Sequence, residues 1–357
     1  MKNIFKLLAF LPLLTACDDL FDPALENNRD LEAMYKEPSY AQGILANAYI
    51  ILPYETSPTS DLATDDAVTN EISSNYLRMA TGSWTANNNP VSQWQNRFNA
   101  IQYINLFLEN VDKVEWAKDE RISTMFLDRL KGEAYGLRAL HMYYLLRAHG
   151  GKIADGTLMG VPIILKSEGP DADFNHARAT YSDCVKQIME DADKAIELLP
   201  LDYKKFADSE IPEKYKNIGV TNASDYRRVC GEEYRGLMSG RIALAVRAQT
   251  ALLAASPAFQ SGSGMTWEQA ADYAAEIIEK ANGGGGCGLD ADGLEWYTLA
   301  DKDYGTGGSP AEVIWRSSTD DNNTLETANF PPSLYGNGRV NPTQNLVDAF
   351  PMANGYP

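Results

Sequence analysis

Leu130-Lys-Gly-Glu133-Ala-Tyr-Gly-Leu-Arg138-Ala-Leu-His-Met-Tyr-Tyr-Leu-Leu-Arg147-Ala-His-Gly150 is the stretch from which the rest of the chain can be read. With Leu127 in front, Leu130, Ala134, Leu137, His141, Tyr144 and Ala148 follow one another at alternating spacings of three and four. That is one continuous face of an α-helix. The flanks from Ala139 to Leu146 are apolar too, which predicts a helix buried on most sides. Gly150-Gly151 stops it. His141 lies on the inward seam and reads as a hydrogen-bonded interior residue.

Working outward, the same periodicity predicts helices over about 29–50 and about 91–113 on one side, the second with Trp94, Phe98, Ile101, Asn105 and Leu108 on its face. On the other side a helix begins near Thr180, where Asp183 completes a capping-box variant, and ends at Pro200. An alanine-rich helix over about 237–256 permits close helix–helix approach. A further helix opens with Thr266-Trp-Glu-Gln269 and ends at Asn282-Gly283. Val161-Pro-Ile-Ile-Leu165 and Glu312-Val-Ile-Trp315 are the convincing short strands. The intervals 53–90, 151–179, 201–236 and 283–341 read as long non-helical stretches. Loops of such length are functional or disordered more often than not, and no repeat of regular period is visible.

Composition narrows the function classes. The 357 residues carry a net charge of −18, which argues against nucleic-acid binding, since phosphate neutralisation needs clustered Lys and Arg. Length alone gives a soft expectation of two or three domains. Three histidines leave little for a histidine-based metal or catalytic cluster, and four cysteines are too sparse for a disulfide framework. One cysteine has another use. Lys2 and Lys6 precede the apolar run Leu7–Leu14, too brief to span a bilayer, so residues 1–16 read as a signal peptide. Leu14-Thr15-Ala16-Cys17 resembles the lipobox of bacterial lipoproteins, which makes Cys17 the lipidation site and 17–30 a flexible tether. Asp18-Asp19 resembles a surface-export signal. Cys184, Cys230 and Cys287 are read as structural or free.

No nucleophile elbow, H-E-x-x-H, Walker A or zinc-type cysteine pair occurs, so no catalytic residue, metal or cofactor is assigned. Gly283-Gly-Gly285-Gly-Cys-Gly288 formally matches G-x-G-x-x-G but follows a helix, the wrong context for a dinucleotide. Asp301-Lys-Asp303 with Glu312 imitates a calcium loop but carries Thr306 at the sharp-turn position. The positive signal is aromatic: 6 Trp, 19 Tyr and 11 Phe, several of them in polar loops. Trp84-Thr-Ala-Asn87 is one such place, and Phe330 and Tyr335 stand in another. A flat ring stacks on the apolar face of a sugar while neighbouring Asn and Asp bond its hydroxyls; the competing role for each ring is that of a loop anchor tucked into the core.

The whole pattern resembles the SusD/RagB family of outer-membrane nutrient-binding lipoproteins. The stretch 130–150 with Gly160-Val-Pro-Ile163 carries the resemblance most specifically. Trp94 with Ile101 and Asn105, Ala195-Ile-Glu-Leu-Leu-Pro200, Gly240-Arg-Ile-Ala-Leu-Ala, Glu312–Trp315 and Pro342–Met352 support it in order. The resemblance implies a mostly α fold, a tetratricopeptide-like scaffold of helical pairs with long irregular loops and a few short strands, forming a single domain over 31–357. It implies no enzyme activity, a glycan ligand held by Trp84, Asn87, Tyr335 and Phe330, and a TonB-dependent SusC-like transporter as partner at the cell surface. Family members continue past Pro357, which raises the expectation of a missing C-terminal part. A surface glycoside hydrolase and a binder of peptides or other nutrients are the alternatives. Glu133 and Arg138 are expected to serve the scaffold.

Overall fold

The computed structural model describes residues 32–53, 60–85, 87–282, 312–316 and 322–356. The signal segment, Cys17 and its tether, Cys287, the glycine run 283–288 and most of the calcium-like stretch lie outside the described residues. Helices dominate. Besides the single turns Ala33–Lys36, Glu213–Lys216 and Gln260–Ser263, they are in chain order α1 (Pro38–Ile50), α2 (Asn75–Ala80), α3 (Trp94–Asn110), α4 (Glu120–His149), α5 (Tyr181–Leu198), α6 (Ala223–Cys230), α7 (Gly240–Ala255), α8 (Trp267–Asn282), α9 (Thr324–Asn329) and α10 (Gln344–Ala349).

The central helix is α4, whose 30 residues include the stretch read from sequence. It starts where Asp119 accepts a hydrogen bond from the Arg121 backbone N–H, and Gly150 closes it onto the Leu146 carbonyl at 2.8 Å. From Gly132 to Leu146 almost every side chain is buried. A Cβ on Gly132 would fall 2.6 Å from Leu199 Cγ, and one on Gly136 would fall 2.6 Å from Met238 Cγ. Glycine at these two positions lets the end of α5 and the entry to α7 press directly against α4. The remaining helices pack around it: α3 and α5 on α4, α1 on α3, and α7 between α5 and α8. The alanines of α7 (Ala243, Ala251, Ala254, Ala255) are fully buried in that contact. A smaller apolar cluster joins Ile122 and Met125 of α4 to Phe206, Tyr215, Tyr226 and Val229.

Buried polar side chains bolt these helices together. Arg138 makes a two-pronged bond to Asp191 of α5 at 2.7 and 2.8 Å and donates to Asn105 of α3 at 2.9 Å. Asn105 in turn donates to the carbonyls of Ile164 and Lys166 at 2.9 and 3.1 Å. Glu133 accepts from the Tyr49 hydroxyl at 2.7 Å, and that hydroxyl accepts from the Met238 N–H at 3.0 Å. Both charged residues are therefore scaffold members, as expected. Removing one partner of such a buried pair leaves an unpaired charge, at a cost of about 3–5 kcal/mol.

Several sequence expectations need correction. The first helix is broken at Glu37, because Pro38 disfavours helical backbone at the residue before it and begins α1 itself. Residues 161–165 form no strand. Their backbone groups bond singly to scattered partners: the Ala179 N–H donates to the Val161 carbonyl at 3.2 Å, Cys184 Sγ lies 3.4 Å from the Val161 nitrogen, and Asn105 holds Ile164. Residues 312–316 pair with no described strand; Trp315 instead donates its indole N–H to the Gly236 carbonyl at 2.7 Å. The strands that do form are β1 (Ala67–Thr69), β2 (Gly151–Lys152), β3 (Leu158–Met159) and β4 (Val340–Pro342), with β1 antiparallel to β4 and β2 to β3. Short helices α2, α6 and α9 also interrupt stretches read as wholly non-helical.

Candidate functional site

The pairing of β1 with β4 brings the two aromatic loops into one structure. Ala67 sits opposite Pro342, Val68 opposite Asn341, and Thr69 opposite Val340. Thr343 extends the contact, its N–H donating to the Asp66 carbonyl at 2.8 Å and its hydroxyl to that of Asp65. Beyond the other end, Asn70 donates to the Asn337 carbonyl at 3.0 Å and Arg339 pairs with Glu71 at 2.9 Å. Residues 60–92 and 322–356 thus form two arms of one ribbon.

On the first arm the chain passes through α2 and turns back in a tight loop closed by Thr85 and Asn88, whose backbones exchange hydrogen bonds at 3.3 and 3.0 Å. Arg78 steadies the loop by donating to Asn88 Oδ1 at 3.1 Å. Trp84 leads into this turn with 51% of its surface exposed, and Asn87 lies within it, exposed. The core-anchor role for Trp84 is not met.

On the second arm Tyr335 follows a single 3-10 turn, Pro332–Leu334, and has φ 63° and ψ 19°. It is the non-glycine residue with positive φ among those described, and 96% of its surface is exposed. A bulky side chain in the left-handed region costs about 1–2 kcal/mol. The surroundings impose it: a Cβ on Gly336 would fall 2.0 Å from the Phe330 carbonyl oxygen, and Gly338 N–H donates to that same carbonyl at 2.9 Å. The closure of the turn on Phe330 turns the Tyr335 ring outward. Phe330 is half-exposed at the end of α9. No ring contact joins Trp84 to Tyr335 or Phe330 among the described residues, so the four predicted residues form two pairs linked by the ribbon rather than one stack.

Sequence reasoning missed what lies beside Phe330. An open cleft of about 450 Å³ runs between α9 and the 336–339 turn, lined by Asn323, Thr327, Asn329, Asn337, Arg339 and Glu71 among others. Gly336-Asn-Gly338 signalled the turn, but nothing local announced that Glu71, far away in the chain, would close the far wall.

Several groups with displaced proton affinities lie inside the scaffold, away from the two arms. Burial holds the Glu133 carboxyl above the usual carboxylate range despite Arg129 alongside. Burial, with the Arg97 guanidinium next to it, lowers His141 to about 3. Burial pushes the Cys230 thiol up to about 12. Each is enclosed by helices, so these shifts record packing rather than a reactive centre.

The family model for SusD-like proteins, described as "Starch-binding associating with outer membrane", matches residues 25–214. The chain belongs to the SusD-like family. Solved structures agree in fold. A SusD-like protein from Bacteroides fragilis superposes with TM-score 0.63 at 18% identity, covering 93% of this chain and 56% of its own. A SusD superfamily protein from Bacteroides vulgatus gives TM-score 0.58 at 18% identity, covering 87% of this chain and 62% of its own. A SusD-like carbohydrate-binding protein from B. fragilis gives 0.56 at 18% identity, with 91% and 55% covered. The chain therefore spans between 55% and 62% of the length of these three relatives. No curated protein matches it.

Proposed function

We propose that this SusD-like protein is a lipid-anchored glycan-binding protein of the outer cell surface, which captures oligosaccharide for import by a TonB-dependent transporter. It is a binder and not an enzyme. The observation that carries the reading is Tyr335: a ring turned almost wholly to solvent on a backbone that costs stability to hold. The hydrogen bonds of the turn hold the backbone in place, but the exposed ring itself has no packing partner within the described residues, and a sugar face stacked on it would provide one. Trp84, exposed with Asn87 on the arm joined to it by β1 and β4, supplies a second platform with an amide beside it. The family description and the carbohydrate-binding relative from B. fragilis support the choice of ligand class.

Delivery requires release, so affinities in the micromolar to millimolar range are expected, about −8 to −4 kcal/mol. Two variants test the reading by affinity electrophoresis on a polysaccharide panel. Trp84→Ala should lose retention while its melting temperature and helical circular dichroism stay at wild-type values. Tyr335→Gly should also lose retention, and because glycine relieves the left-handed backbone, its melting temperature should not fall. Retention at wild-type strength in both variants would remove the two rings from the site. Release of reducing ends by the wild-type protein would favour a glycoside hydrolase instead.

A further inference from the structure

The second arm narrows the ligand class, on the footing of the glycan-binding reading above. Hydroxyl and amide groups line the cleft between α9 and the 336–339 turn, from Asn323, Thr324, Thr327, Asn329 and Asn337. Asn329 Oδ1, enclosed in the wall of the cleft, accepts no hydrogen bond from the described residues. Phe330 follows Asn329 in the chain and Tyr335 stands two residues before Asn337, which places both exposed rings on the segments that flank the cleft. The cation in the lining, Arg339, is engaged by Glu71 at 2.9 Å. The other basic residue of the two described arms, Arg78, donates to Asn88. Against these two stand six carboxylates: Asp61, Asp65, Asp66, Glu71, Glu326 and Asp348.

A uronate or sulfate entering this cleft would find its guanidinium already paired and would meet a net negative field, on a chain of charge −18. An uncharged sugar ring would meet the hydroxyl and amide donors and acceptors of the lining. We infer that the cleft between α9 and β4 receives a neutral sugar unit of the glycan and discriminates against carboxylated or sulfated ones.

The test sets each neutral polysaccharide of a panel beside its carboxymethylated derivative, using the full chain. At low salt the carboxymethylated partner should be retained about tenfold more weakly, and the gap should narrow as screening increases. Glu71→Gln frees Arg339 and should narrow the gap at low salt. Asn329→Leu, of similar size, should weaken retention on the neutral glycan by about fivefold or more. Equal or stronger retention on the carboxymethylated form overturns the inference, as does a gap unmoved by Glu71→Gln or full-strength neutral binding by Asn329→Leu. Retention on no polysaccharide of either kind overturns the glycan-binding reading itself.

Discussion

His141 is held between neighbours with opposite needs. Its Nδ1 lies 3.2 Å from the Arg97 guanidinium, which can only donate, and its Nε2 lies 3.1 Å from the Ala48 carbonyl, which can only accept. The neutral tautomer with hydrogen on Nε2 satisfies both, and a second proton would face Arg97. Burial first and that guanidinium second therefore bring its pKa from 6.5 to about 3. The sign follows: between these values the unfolded chain binds a proton that the native state refuses. This contribution to stability is complete above about pH 6.5 and is lost on acidification, at about 1.4 kcal/mol per pH unit. His141→Gln keeps one acceptor and one donor but does not titrate. Urea unfolding between pH 7.5 and 4.5 should show a shallower loss of stability in the variant; an unchanged slope would mean that His141 is protonated in the native state. The seam position of His141 was legible from spacing alone. Its partner was not, because Arg97 sits in the polar run Gln95-Asn96-Arg97, which looks solvent-facing until the helix is packed.

Among elements, legibility tracks how locally each one is determined. The long helices α3, α4, α5, α7 and α8 carry their own periodicity, and Thr266 with Gln269 makes the reciprocal bonds its spacing predicts, at 3.0 and 3.2 Å. The β1–β4 ribbon carries no such signal. Ala67-Val-Thr69 lies between Asp65-Asp66 and Asn70-Glu71, and β4 contains Pro342, so neither strand reads as one without its distant partner. The candidate site was hence legible as residues but not as a surface. Thr343 is the element's fastener, since it bonds across to Asp66, reaches Asp65 through its hydroxyl, and caps α10 by accepting from the Leu346 N–H at 3.3 Å. Thr343→Val removes the two hydroxyl bonds and should cost about 1 kcal/mol locally. Hydrogen exchange should speed up at 67–69 and 340–342 while the melting temperature, set by the helical core, stays within a degree or two. A large drop in melting would show that the ribbon is part of the cooperative core.

At the scale of the molecule, the helical scaffold and the arms proposed to bind glycan draw on separate apolar contacts. The two apolar clusters gather side chains from Met34, from α1 and α3 to α8 with the segments between them, and from Ile314 and Trp315, and neither draws on residues 60–92 or 322–356. Substitution in the arms should therefore leave the helical core folded, which suits the proposed role of the arms in recognition. The same separation leaves membrane attachment to the N-terminal end. No helix of the described residues is long and apolar enough to cross a membrane, and a net charge of −18 gives anionic headgroups nothing to attract. The proposed anchor is Cys17. Each buried methylene contributes about 0.8 kcal/mol, so one acyl chain holds marginally and several hold stably. Because the anchor is covalent to one residue, its loss should be all or none. Cys17→Ala, expressed in a bacterium that processes lipoproteins, should move the protein from the outer-membrane fraction to the soluble one while the released chain still binds glycan. Recovery of the variant in the membrane fraction at wild-type level, after a high-salt wash, would assign attachment to the folded surface instead.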